Sequence, residues 1–304
     1  MSVDPPGEPH SAAYFDEQRD FWWNQDFLWL VAERLNLDRL RSVLDVGSGL
    51  GHWGRTLLTV MPEASVLGVE REARWVAEAR ERAEGGGLSG RCRYVEGVAE
   101  ALPFAEQTFD LVTCQTLLIH VADPAQVIGE MRRVLRPGGL LLLSEPNNLA
   151  GMLVADSTIA YRSVAELIER VEFALICERG KAAVGEGNSS IGDLLPGLVA
   201  QAGLIDVRSV LNDRTSMLVP PYELDDQRAL RDAIIAGSKS GRWIWSRAEA
   251  RRYFVAGGGD ETEFESRWQR RLDEARETVQ ELAQHHLHTA GGGIHYLISA
   301  RRPT

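Results

Sequence analysis

Cysteine is scarce in this chain. Three residues among 304 (Cys92, Cys114, Cys177) are too few and too scattered for a disulfide framework, and no C-x-x-C pair suggests structural zinc. That usage fits a reducing compartment and leads to the expectation of a cytoplasmic protein. Long apolar runs are missing too: no uncharged stretch approaches the roughly 18 residues that would mark a spanning helix, so no membrane span is expected. Residues 1–10 carry Asp4, Glu8 and three prolines where a secretory leader would have a basic region and an apolar run, so no signal peptide is expected. Positive charge is in deficit. Lys and Arg number 33 against 44 Asp and Glu, a net −11, which argues against general attraction to nucleic acid or anionic lipid.

What is present is globular material, 44% hydrophobic and 25% charged, enough for a substantial core in one or two domains at roughly 150 residues each. Short apolar runs alternate with helical patterns. Strands are expected at 42–47 (SVLDVG), 65–70 (SVLGVE), 91–96, 109–114 (FDLVTC) and 140–144 (LLLLS), with helices at 52–61, 73–84 and 124–135 between them. The third of these helices stops at Arg136-Pro137-Gly138-Gly139, where proline cannot continue it. Buried strands alternating with amphipathic helices mean an α/β doubly wound, mostly parallel sheet.

Beyond residue 146 the pattern is less regular. Ser163-x-x-Glu166 is a capping box opening a helix over 163–179, with Val164, Leu167, Ile168, Val171, Ala174 and Leu175 as its apolar stripe. Asp193 is expected to cap a helix over 194–202, and 204–211 and 294–300 read as the last strands. Phe264, Trp268, Leu272, Ala275, Val279 and Leu282 mark a long helix within 260–288. The stretch 239–252, which mixes Arg with Trp243 and Trp245, reads as a solvated face, because nearby carboxylates dilute any nucleic-acid patch. His285, His286 and His288 read as capping that helix's C-terminus, having no carboxylate at ligand spacing to make a metal site. Phe21, Trp22, Trp23, Phe27 and Trp29 suit either an aromatic lid or a packed amphipathic helix.

The glycines after the first strand are the informative place, since glycine lets a backbone approach a ligand closely. Gly49-x-Gly51-x-x-Gly54 is a literal dinucleotide fingerprint, with Glu70 at the right distance for a ribose. Asp45-x-Gly47-x-Gly49-x-Gly51 is the pattern associated with S-adenosylmethionine (SAM). In the first register Gly47 and Ser48 intervene between strand and fingerprint, and an acidic residue in the strand suits a pyrophosphate poorly. The second register is preferred.

With VLDVGSGLG (43–51), VLGVE (66–70), VEGVAEALPF (95–104), FDLVTCQTLLIHVADP (109–124) and RVLRPGGLLLLSEP (133–146) in order, the chain resembles class I SAM-dependent methyltransferases. It is similar to the broad group that includes the ubiquinone/menaquinone-biosynthesis enzymes. The resemblance implies a seven-stranded sheet whose last strand is antiparallel and inserted beside the fifth. It also implies SAM as cofactor, with S-adenosylhomocysteine (SAH) as product. By the same resemblance Asp45 and the backbone of Gly47, Ser48, Gly49 and Gly51 hold the methionine part, and Glu70, with Arg71 beside it, the ribose. Where the family reads Gly-Asp-Ala against the adenine, this chain reads Gly97-Val98-Ala99. Valine cannot accept the amino group's hydrogen bond, which leaves Ala99, Glu100 or a water near the ring. Cys114 and Gln115 stand where the family contacts the donor's amino group and methyl, Tyr14 where it carries a lid residue. His120 reads either as a packing residue or as a general base near the methyl.

Residues 42–146, 191–211 and 292–302 would form the SAM-binding core of a single methyltransferase domain. Residues 1–41 would be N-terminal aromatic helices, and 147–190 and 212–291 helical cap insertions over the methyl. The end of the fourth strand lacks the Asn/Asp-Pro-Pro-Tyr associated with methylation of amino groups on bases or of glutamine amides, so a small or medium-sized organic acceptor is expected, and the pocket under the cap would make it largely apolar. No nucleic-acid partner and no metal are expected, and the reading leaves room for a homodimer. Protein or RNA methylation, a non-catalytic SAM-binding role and, through the other glycine register, a nicotinamide oxidoreductase stay open.

Overall fold

The computed structural model describes residues 19, 21–152, 156–291 and 293–304, which divide into two compact units. One comprises 23–147, 189–213 and 294–304 and carries the sheet. Its elements are α1 (Gln25–Leu35), β1 (Ser42–Val46), α2 (His52–Leu58), β2 (Ser65–Glu70), α3 (Ala73–Gly85), β3 (Cys92–Glu96), β4 (Phe109–Gln115), α4 (Pro124–Val134) and β5 (Leu135–Asn147). The other unit, 148–188 and 214–293 with the described residues before 23, is helical. It contains α5 (Asn148–Gly151) and α6 (Val164–Ala183). The chain then adds α7 (Leu195–Gln201) and β6 (Ile205–Leu211) to the sheet unit, and α8 (Asp225–Lys239), α9 (Arg247–Ala256) and α10 (Glu261–Ala283) to the helical unit. It ends in β7 (Ile294–Arg301), back in the sheet. No helix among the described residues is long and apolar enough to cross a membrane.

The strand order is β3-β2-β1-β4-β5-β7-β6. β1 through β5 pair in parallel, and β7 lies antiparallel between β5 and β6. This is the α/β doubly wound, seven-stranded arrangement expected. Side chains alternate between two aliphatic layers. One packs Val112, Cys114, Leu141 and Leu143 against α4 and α7. The other packs Val43, Leu111, Leu140 and Leu142 against α1, α2 and α3. Strands β1 and β4 are buried along nearly their whole length, so apolar runs rather than strict alternation mark them. The N-terminal aromatics divide: Phe27 is buried in α1's packed face and Trp23 lies 4.9 Å from the Trp53 ring, while Trp29 is exposed.

Several sequence expectations are corrected. β5 begins at Leu135, not Leu140, because Gly138 and Gly139 exchange backbone hydrogen bonds with Arg302, just past β7. Asp193 caps nothing: it accepts from Asn147 Nδ2, and α7 starts at Leu195 after a 3-10 turn. The apolar stripe of α6 is only partly covered, with Val164 and Ile168 exposed. The face it buries is Phe173, Ala174, Cys177 and Gly180. Residues 239–252 are not a solvated face. Trp245 is fully buried, and a second capping box, Ser246 with Glu249, starts α9. The long helix ends at Ala283, where His285 adopts φ 60° and the His286 N–H closes on the Glu281 carbonyl.

Candidate active site

Parallel strands place their carboxyl ends along one edge, where open α/β sheets bind ligands. At that edge β1 runs into the turn Gly47–Gly51. Gly47, Gly49 and Gly51 all have positive φ (65°, 50° and 75°), a region L-residues rarely adopt. Space is as restrictive as dihedral angle: a Cβ on Gly51 would lie 2.2 Å from the Tyr94 hydroxyl, and one on Gly47 2.6 Å from Leu117 Cδ1. The N–H groups of Gly47 and Ser48 donate to the Val69 carbonyl at 2.8 and 3.0 Å, which ties the turn to the end of β2.

Glu70 closes that strand. Its Oε2 accepts from the Gly49 N–H and its Oε1 from the Glu72 N–H, both at 3.0 Å. Its carbonyl takes the Gly97 N–H at 3.0 Å. Three strand ends thus meet on one residue. Each carboxylate oxygen keeps lone-pair capacity beyond its single backbone bond. Arg71 extends outward and lies 3.6 Å from Glu72.

Asp45 is buried, with Oδ2 accepting from the Gly54 N–H at 3.1 Å near the start of α2. Oδ1 is buried without a hydrogen-bond partner among the described residues. Burial raises its carboxyl to about 7; the Gly54 amide opposes the rise and the Glu70 carboxylate adds to it. Ser48 Oγ and Gln115 Nε2 are likewise buried and unpartnered among the described residues. Unmet polar atoms on two neighbouring strand ends, β1 and β4, are what a polar ligand would satisfy.

The other expected positions separate. Gln115 and Cys114 point to opposite faces of β4. Cys114 is fully buried in the α4 layer, its thiol 3.5 Å from Glu145 Oε1, and burial followed by that carboxylate holds it well above the usual thiol range. Val98 is 40% exposed, in a short bridge with Ala101. Ala99 packs at the margin of the core, and Glu100 is exposed, its carbonyl taking Gln126 Nε2 at 3.1 Å. His120 ends the 3-10 turn Leu118–His120 beyond β4, half-buried. Tyr14 lies outside the described residues. Among those residues, no three His, Cys, Asp or Glu side chains gather where they could hold a metal ion.

A glycine turn in the left-handed region, a carboxylate at the next strand end and a seven-stranded sheet with an antiparallel β7 meet in one unit. The methyltransferase-domain family matches residues 37–191, just over half of the chain. The chain belongs to the class I SAM-dependent methyltransferase family. The ubiquinone/menaquinone biosynthesis C-methyltransferase UbiE of Hahella chejuensis is 33% identical to this chain over 147 residues, spanning 42% of this chain and 59% of the relative. The erythromycin 3''-O-methyltransferase of Saccharopolyspora erythraea is 34% identical over 122 residues, covering 40% of each chain. The chain thus spans about half the length of the curated relatives it matches. A candidate methyltransferase from Bacillus halodurans has a solved structure matching 90% of this chain and 99% of its own. Its TM-score is 0.50 at 19% identity, a likeness of fold.

One residue of this edge escaped the sequence reading. Glu145, near the end of β5, is wholly buried, and burial raises its carboxyl to about 7 against the pull of the Leu118 and Leu117 amides. A signal was present: an acidic residue ending a five-residue strand reading LLLLS.

Proposed function

We propose that this protein transfers a methyl group from SAM, by in-line displacement, to a small or medium-sized, largely apolar organic acceptor, releasing SAH. The observation that carries the reading is the hydrogen bond from the Gly49 amide to Glu70. It joins the glycine turn to the one carboxylate at the β2 end and presets both for a ribose-bearing ligand. In this reading Glu70 accepts from the ribose hydroxyls, a bidentate task that suits a carboxylate. Gly47, Ser48, Gly49 and Gly51 offer backbone to the methionine portion, with Asp45 Oδ1 and Gln115 Nε2 as its polar partners.

The cofactor, when bound, supplies a methyl on a cationic sulfur with a neutral thioether as leaving group, so acid catalysis contributes little. The chain's own residues then have mainly to orient the nucleophile and exclude water. His120 is the candidate base for an acceptor protonated at neutral pH, such as a hydroxyl. Two features support a small organic acceptor: the Cys114-Gln115-Thr116-Leu117 sequence at the β4 end, and the relatives named for quinone biosynthesis and erythromycin methylation.

Calorimetric titration with SAM and SAH, followed by incorporation of labelled methyl groups into cell extract, tests this. Binding of both ligands and label in the small-molecule fraction is expected. Label confined to protein or RNA would replace the acceptor class, and SAM bound but unconverted across broad acceptor screens would make the protein a SAM binder.

A further inference from the structure

A buried carboxylate needs compensation, because an unpaired charge or acceptor in an apolar layer is costly. Glu145 finds compensation for one oxygen in the loop after β4, while its Oε2 is buried without a hydrogen-bond partner among the described residues. Its Oε1 accepts from the Leu117 N–H at 2.8 Å, the Leu118 N–H at 2.9 Å and the Cys114 thiol at 3.5 Å. The two amides open the 3-10 turn Leu118–His120, where successive N–H groups have no partner within the turn.

The loop reaches that turn under strain. Thr116 has φ 52°, an outlier for a β-branched residue, while its N–H still donates to the Ser144 carbonyl at 2.9 Å. A conformation of this kind persists only when its surroundings over-determine it. The Ser144 carbonyl and the Glu145 carboxylate, neighbours on β5, hold Thr116, Leu117 and Leu118 in succession. So held, Leu117 sets its side chain against Gly47: its Cδ1 occupies the place a side chain at 47 would need. The loop is thereby seated on the first glycine of the turn.

We propose that Glu145 is a positioning residue for the cofactor site, fixing Leu117 so that its side chain backs Gly47 and holds the glycine turn in its binding shape. This rests on the reading of that turn as the SAM site, and the role assigned to Glu145 runs through the bonds of Oε1 to the loop. One oxygen takes all three bonds, so a glutamine carbonyl can replace it, whereas a leucine of similar size leaves two buried amides unpaired.

The test is titration with SAH of the full chain, its Glu145→Gln, Glu145→Leu and Leu117→Ala variants, together with amide exchange at Leu117 and Leu118. Glu145→Gln is expected to bind within about 3-fold of wild type. Glu145→Leu should bind about 10-fold or more weakly, with faster exchange at both amides, since two buried donors lose their acceptor. Leu117→Ala keeps the carboxylate and its bonds, so it carries the test if Glu145→Leu does not fold, and a loss of about 10-fold is expected there too. A folded Glu145→Leu, or Leu117→Ala, that binds SAH as tightly as wild type would overturn the proposal. Wild type failing to bind SAH would overturn the functional reading, and this inference with it.

Discussion

In the sheet unit β1, β4 and β5 bury aliphatic side chains on both faces, while the helical unit buries aromatic rings with arginines set among them. Val, Leu and Ile dominate the two layers on the sheet. Phe173, Trp245, Tyr253, Phe254, Phe264 and Trp268 make the helical core. At its margin Arg271 is 1% exposed and pairs with Glu169 at 2.6 Å and Glu274 at 2.9 Å. Arg267 joins Glu169 at 3.0 Å and lies over the Phe254 ring. Desolvation offsets much of the attraction in buried ion pairs of this kind. In the sheet unit Asp45 Oδ1, Ser48 Oγ and Gln115 Nε2, buried and without hydrogen-bond partners among the described residues, lie instead at the carboxyl edge.

The largest expected effect is at that edge. Glu70→Ala removes the carboxylate that both braces Gly49 and would take the ribose. SAH affinity should fall roughly 30- to 1,000-fold, about 2–4 kcal/mol, by calorimetry. Affinity unchanged in that variant would sink the site assignment and erase the distinction between a ligand-bearing edge and the rest of the sheet.

In the helical unit the sharpest lever is a crossing without room for a side chain. A Cβ on Gly180 of α6 would lie 1.6 Å from the Tyr253 carbonyl oxygen of α9, so Gly180→Ala must push two backbones apart. A loss of about 3 kcal/mol in denaturant unfolding is expected, the upper part of the usual overpacking range. A neutral result would mean that α6 and α9 do not pack as closely as this crossing requires.

A pH series sharpens the contrast further. Asp45 titrates near 7 when folded and near 3.8 when exposed, so between those values the folded state holds a proton that the unfolded state releases. Its contribution is therefore fully present below about pH 4 and is lost as pH rises toward 7. Between pH 5 and pH 8 the wild type should lose roughly 2 kcal/mol that Asp45→Asn keeps. Thermal unfolding of both proteins across that range reads the difference, and parallel curves would refute the raised carboxyl.

The smallest effect is expected at Val98. Val98→Asp supplies the missing acceptor for an adenine amino group, at a half-open position where a hydrogen bond is worth about 1 kcal/mol. SAH should bind roughly fivefold tighter. No gain with an intact fold would show that another group already takes that bond.

Local chemistry made the sheet unit legible. Five apolar runs in order with turn glycines between them predicted the strands, and Asp45, Gly47 and Glu70 stood out because a ligand-approaching turn needs glycine and a strand-end carboxylate needs a reason. Boundaries were less legible where pairing partners came from far along the chain. Arg302 pulls Gly138 and Gly139 into β5, and Tyr296 and Asn147 occupy Asp193. In the helical unit, periodicity located α6 and α10 but misjudged what they bury. The close approach at Gly180 selects a face containing Phe173 and Cys177 over the Val164–Ile168 stripe, and Trp245 looked solvent-facing among its charged neighbours.

By itself, then, the sequence determined the order of strands and helices in the sheet unit, the glycine turn and the acidic residues beside it. These follow from side-chain periodicity and from dihedral angles open only to glycine. Tertiary structure alone decided that Cys114 turns into the core while Gln115 does not. It also decided that Glu145 reaches across from β5 to hold the loop carrying Leu117. The physical reason is distance along the chain. A hydrogen bond between residues 28 positions apart leaves no periodicity behind, and a buried carboxylate reveals its purpose only when the amides that neutralise its cost are in place.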